Sequence, residues 1–215
     1  TESIAMTLLS CITALTLGAV MIYPPLKLLN DVMLKHLEIE QDILLAQNIN
    51  RAMELLARAI REAGYRVSQN SINEHDIQIK QDGLFKGSAA IALMQDLPKH
   101  LAYDCMGNVL SKERTRQQKT YQHFYLERSR NDPQSASLIC QSLDRKGQLH
   151  QAELLNQVQY LRIHWVNPQA INATILTSKG PTGLIRISLG VRRTSKPTKV
   201  NKLIEQVRWV APRHI

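Results

Sequence analysis

From Met6 to Tyr23 the chain (MTLLSCITALTLGAVMIY) carries no charged side chain, and with Pro24, Pro25 and Leu26 the uncharged run reaches Lys27. That is about the twenty residues a helix needs to cross the hydrocarbon core of a bilayer. Beyond it the sequence stays helical in character, without Gly or Pro from Leu28 to Ala63. One seam runs along this stretch: Ile39, Ile43, Ala46, Ile49, Met53, Leu56, Ile60 and Ala63. Its steps are three and four residues throughout, which places all of them on one helix face. A span suited to lipid therefore continues directly into an amphipathic helix whose stripe must pack on something. Gly64 is positioned as a left-handed stop, and Arg58 and Arg61 suit the carbonyl end of the helix dipole. Pro24 and Pro25 remove two backbone donors and crowd the preceding turn, so the helix is expected to kink or melt there.

The apolar run exceeds the 7–15 residues of a secretory signal core and is followed by amphipathic helix, with no A-x-A cleavage site. It reads as an anchor. The roughly 150 residues after the helix suffice for one modest domain with a core of its own. Only 5% of the 215 residues are aromatic, so that core should be aliphatic. Short strand patterns separated by polar turns fill it: Asp76–Lys80, Ala89–Met94, Tyr121–Leu126, Ala136–Leu143, Val158–Val166, Gly183–Arg193 and Leu203–Val210. In the sixth, Ile185, Ile187, Leu189 and Val191 should face inward, with Arg186 and Ser188 outward. Turns are expected at Asp82-Gly83, Met106-Gly107-Asn108, Asn131-Asp132-Pro133 and Arg145-Lys146-Gly147. Tyr65–Glu74 reads as a loop and Ser111–Lys119 as a solvated stretch, while Gln148–Gln157 fits either helix or loop. The whole predicts an α+β chain whose long helix covers one face of an antiparallel sheet.

Three cysteines are present. Cys11 lies in the apolar run and reads as a small buried residue. If the domain is exported, Cys105 and Cys140 lie in an oxidising space and can pair, which contributes roughly 3–4 kcal/mol on a chain-entropy basis. The other reading is two unrelated thiols. Net charge is +9, and the excess sits at the C-terminal end: nine Lys or Arg against the single acid Glu205 between Lys179 and Ile215. Within it, Arg192, Arg193, Lys196, Lys199 and Lys202 are candidate contacts for an anionic partner, either an acidic protein or a DNA backbone beside the stacking aromatic Trp209. No GxSxG, HExxH, P-loop or paired CxxC occurs. The seven histidines are scattered without ligand spacing, and Glu38, Glu40 and Asp42 crowd one helix segment that reads as a polar surface. No metal or other cofactor is expected.

Met6-Thr7-Leu8-Leu9 followed by an apolar helix resembles the start of a type IV pilin after prepilin-peptidase cleavage, which usually begins Phe-Thr-Leu. Ala5 would then precede the cut and Met6 open the mature chain. Leu56-Ala57-Arg58-Ala59-Ile60-Arg61-Glu62-Ala63-Gly64-Tyr65 is similar to the helix-ending block of minor pilins of the PilW type, at the same distance from the cut. Asp104-Cys105-Met106-Gly107-Asn108, His123-Phe124-Tyr125-Leu126 and Leu138-Ile139-Cys140 resemble that family's later blocks in order. So do Val158-Gln159-Tyr160-Leu161 and Leu184-Ile185-Arg186-Ile187-Ser188-Leu189. The resemblance covers most of the chain, and its specificity lies in order and spacing more than in any one motif.

The resemblance implies a pilin fold divided as 1–5 (end of a leader), 6–26 (membrane half of the helix), 27–64 (amphipathic half) and 65–215 (β-rich periplasmic domain). It implies a non-enzymatic subunit of the inner membrane, cut by prepilin peptidase and N-methylated. Together with other minor pilins, the major pilin and the inner-membrane assembly platform, it would prime the filament at its tip. The J-type minor pseudopilin of type II secretion is a related possibility, and a DNA-binding tip module for DNA uptake is another. Calcium sites occur in some related pseudopilins, but no acidic loop here demands one. One position departs from the pattern. Pilins carry Glu five residues into the mature chain, where this chain has Ser10. That carboxylate pairs with a neighbour's α-amino group inside an apolar bundle. A subunit at the extreme tip has no neighbour ahead to pair with. Ser10 instead has a hydroxyl that can bond a carbonyl of its own helix.

Overall fold

The computed structural model describes residues 2–63, 76–98, 101–116, 119–129, 135–166, 183–194 and 201–212. A single helix, α1 (Glu2–Glu62), opens the chain. Seven strands follow: β1 (Ile77–Lys80), β2 (Ala90–Asp96), β3 (Lys119–Arg128), β4 (Ala136–Leu143), β5 (Leu149–Val166), β6 (Leu184–Thr194) and β7 (Asn201–Val210). They form one antiparallel sheet in the order β1 to β7, each strand beside its neighbour in sequence. The architecture is α+β. Gly64, the 65–74 loop, the 131–133 turn and the segment between Pro168 and Pro181 lie outside the described residues.

The chain divides into two compact units, Thr1–Gln47 and Asn48–Ile215, so α1 contributes to both. In the first, α1 is the one described helix long and apolar enough to cross a membrane, and its apolar window is unburied. Thr13 and Thr16 donate their hydroxyls to the carbonyls of Ser10 and Thr13, each at 2.9 Å, so neither polar group needs water. Both prolines sit inside α1, so of the two expected outcomes, a kink or melting, melting does not occur. Their rings cost two hydrogen bonds, to the carbonyls of Val20 and Met21, and the long helical flanks on either side tolerate that loss.

The second unit holds the core. Ile49, Met53, Leu56 and Ile60 are 0–2% exposed, and Ala52, Ala57, Ala59 and Ala63 widen the buried face with small side chains. The seam is not buried along its whole length, however. Ile39 and Ile43 are 59% and 52% exposed, and Ala46 is exposed too. Opposite the buried part of the helix lie the inward residues Leu161 and Ile163 of β5, and Ile185, Ile187, Leu189 and Val191 of β6. Polar contacts fix the helix to β7: Gln206 Nε2 donates to Asn50 Oδ1 at 2.6 Å, and the Arg208 guanidinium pairs with Glu54. Arg61 also pairs with Glu54, at 2.7 Å, and these two guanidiniums hold the Glu54 carboxyl below its ordinary range. Among the described residues the core is mostly aliphatic, with Phe124 and Tyr125 its buried aromatics.

β5 turns the sheet. Its first half pairs with β4 up to Val158 and its second half pairs with β6 from Val158 onward. At the change Gln157 takes φ 58°, and the register slips on both sides. An extra residue of this kind bends a strand and sharpens its twist. Past the bend, β5 carbonyls meet the start of the sheet: Ala89 N donates to Leu161 O at 2.7 Å, and Gln81 Nε2 to Ile163 O at 3.0 Å. Gln148–Gln157, expected as helix or loop, is thus almost entirely strand. Residues on both of its faces are exposed there, so the segment lacks the apolar alternation that marks a strand.

Candidate interaction surfaces

Cys105 and Cys140 form a disulfide with their Cα atoms 6.4 Å apart. It ties the loop between β2 and β3 to the buried centre of β4. Asp104, fully buried beside it, organises that loop. Its Oδ1 accepts the backbone N–H groups of Met106 at 2.9 Å and Asn108 at 2.7 Å. Its Oδ2 accepts the Ser142 hydroxyl and an Asn108 amide hydrogen, both at 3.1 Å. An Asx turn of this sort replaces missing backbone partners, and Gly107 supplies the positive φ of 82° that closes it. Ser111–Lys119 is not simply solvated. Its first half forms a 3₁₀ turn at Lys112–Arg114. Arg114, largely buried, lies 3.6 Å from Asp104 and donates to Leu143 O at 3.2 Å. A long side chain with two buried acceptors in reach folds inward although its neighbours are polar.

On the outer side of β3 stand Tyr121, His123 and Tyr125, with His123 4.8 Å from the Tyr125 ring. Burial pushes the His123 pKa down, against the pull of a hydrogen bond with Gln141. A histidine whose folded pKa is depressed contributes stability that is complete above its unfolded value near 6.5. That contribution is lost as pH falls through the lower folded pKa. His123→Phe should therefore flatten the decline in stability between pH 7.5 and 5. Urea titrations at the two pH values measure it, and an unchanged slope would refute the assignment.

Two open hollows flank this region. One of about 530 Å³ is lined by polar groups such as Glu127, Ser137, Glu153 and Asn156. The other, of about 550 Å³, lies between Met94, Tyr121, Leu143 and Leu149. Neither lining contains His or Cys. Among the described residues no group of three or more His, Cys, Asp or Glu is placed to hold a metal ion.

Ala5, Met6 and Ser10 all lie within α1, and Ser10 is exposed. The basic cluster is less compact than the sequence suggests. Lys196 and Lys199 lie outside the described residues. Arg192 and Arg193 are adjacent in β6 and so belong to opposite faces of the sheet. Arg192 donates to Gln159 Oε1 at 3.0 Å, and Arg193 stands in register with Lys202.

The register builds a different surface that the sequence reading missed. On the face of β5, β6 and β7 turned away from the helix, His164, Arg186 and Trp209 form one row, and Arg162, Ser188 and Val207 the next. The Arg186 guanidinium lies 5.5 Å from the Trp209 ring, and the Arg162 guanidinium 4.7 Å from the Tyr160 ring. Ser188, expected to be exposed, is buried because it is a short side chain between the longer Arg162 and Val207. Gly190 is required beside Tyr160, since a Cβ there would collide with the tyrosine ring. Partial burial raises the Tyr160 pKa, and a hydrogen bond with Glu205 adds to the rise. Period-two alternation in Tyr160-Leu161-Arg162-Ile163-His164 was the available signal. It showed which residues share a face without showing which strand lies beside them.

No family model matches this chain, and neither the curated proteins nor the solved structures contain a detectable relative.

Proposed function

We propose that this chain is a minor pilin of the PilW type: a non-enzymatic, single-pass subunit with a pilin fold that helps prime type IV pilus assembly at the filament tip. On this reading the first part of α1 rests in the inner membrane until prepilin peptidase cuts after Ala5. The strand-rich unit stands in the periplasm. The subunit then enters a bundle with other minor pilins and the major pilin at the assembly platform. One observation carries the reading. A single 61-residue helix begins as an exposed apolar span and ends as the buried spine of an antiparallel sheet. An exposed apolar helix is stable only in lipid or against other helices, and a pilin uses each in turn.

Ser10 supports a position at or very near the tip, where a carboxylate would find no α-amino group ahead of it. Mass spectrometry of the N-terminus in the native host should show N-methylated Met6, and the protein should co-purify with other minor pilins. An unprocessed N-terminus together with no pilin partner would overturn the proposal. Ser10→Glu should leave piliation at or below the wild-type level, and piliation above wild type would exclude the tip position.

A further inference from the structure

We infer that the outer face of β5, β6 and β7 is a binding site for single-stranded nucleic acid. The inference is independent of the assembly role, and of the Arg192–Lys202 cluster it uses Arg192 alone. Six side chains make the site: Tyr160, Arg162, His164, Arg186, Arg192 and Trp209. Among the described residues no carboxylate pairs with Arg162, Arg186 or Arg192, and Glu205, the acid of this face, is engaged by Tyr160. The face therefore carries three guanidiniums against the one carboxylate of Glu205, a net positive charge. Such a surface is complementary to a polyanion.

Two of the guanidiniums are seated over rings, Arg162 over Tyr160 and Arg186 over Trp209. The pairing orients each ring and leaves the guanidinium hydrogen-bond donors free for phosphate oxygens. Gly190 lets the Tyr160 ring lie against the sheet. Trp209 is 48% exposed, an unusual state for the largest apolar side chain. Side chains on one face of a strand recur every ~6.7 Å, so rings and charges repeat at short intervals across the face. A single strand presents unstacked bases to the exposed Trp209 ring and to the guanidinium planes, and phosphates to the guanidinium donors. A duplex hides its base faces, and an acidic polypeptide uses the charges without the rings.

Full-length protein in neutral detergent, titrated into a fluorescein-labelled dT20 strand, tests the site by anisotropy. Binding should weaken as salt rises from 50 to 200 mM. Trp209→Ala should weaken it by about 10-fold or more, in line with the loss of one stacked base. Arg186→Gln, on an exposed position that leaves the core intact, should lower the salt slope by about one. The duplex and a poly-glutamate of equal charge should bind more weakly than dT20. Wild-type affinity in both Trp209→Ala and Tyr160→Leu would overturn the inference. So would poly-glutamate binding as tightly as dT20, which would reassign the face to an acidic protein.

Discussion

Replacing Cys105 and Cys140 together with Ala should lower the unfolding free energy of the Asn48–Ile215 unit by about 4 kcal/mol. The bond closes a loop between cysteines 35 residues apart, and the chain-entropy relation gives about that figure for such a loop. Two further considerations bear on the number. Cys140 is fully buried in β4, so Ala there removes a sulfur from the core, which adds to the loss. The loop has a second fastening in Asp104, whose carboxylate accepts from Met106, Asn108 and Ser142. If that network holds in the variant, the folded loop keeps its shape and the loss is confined to the chain-entropy and cavity terms. Urea unfolding in mild detergent, with and without reductant, measures the effect. Reduced wild type should match the double variant to within the Ala cavity term. A loss under about 1 kcal/mol would mean that the Asp104 network alone defines the loop.

What the sequence showed and what it hid divide along a physical line. Local signals were sufficient where one face of an element is buried and its ends carry turn residues. β4 runs from Ala136 to Leu143, the bounds read from its composition, because the apolar run is continuous and Asp144–Gly147 closes it. Asp144 caps that turn by accepting the N–H groups of Lys146 and Gln148, and Gly147 takes φ 70°. The first half of β5 has no such mark. His150, Gln151 and Glu153 are exposed, and the strand is held there by its ladder with β4, not by its own side chains. Long-range register was also invisible. Nothing local to Trp209 announces that Arg186 will lie beside it, or that Arg192 and Arg193 will part to opposite faces. The helical seam was read correctly as a stripe. What its period could not reveal is where its cover changes, because Ile43 and Ile60 look alike in sequence.

That difference gives the second large effect. Ile60→Ala should cost about 2–5 kcal/mol, the range for emptying a well-packed aliphatic site, because Ile60 is fully buried. Ile43→Ala should cost the isolated protein less than about 0.5 kcal/mol, because Ile43 is 52% exposed. The two positions belong to one stripe with one periodicity, so the contrast isolates tertiary cover from helix propensity. Ala is the better helix former, which moves both variants slightly toward stability and leaves their difference intact. The ranking should reverse in assembly. If Ile39, Ile43 and Ala46 pack against neighbouring helices, Ile43→Ala should reduce co-purification with partner pilins although the monomer is unaffected. Ile60→Ala should reduce it only in proportion to the folded fraction. Urea unfolding of the purified variants gives the first ranking and pull-down at matched folded concentration gives the second. Equal destabilisation by the two substitutions would show that the exposed half of the seam is covered within the single chain, and the helix-bundle reading would lose its physical basis.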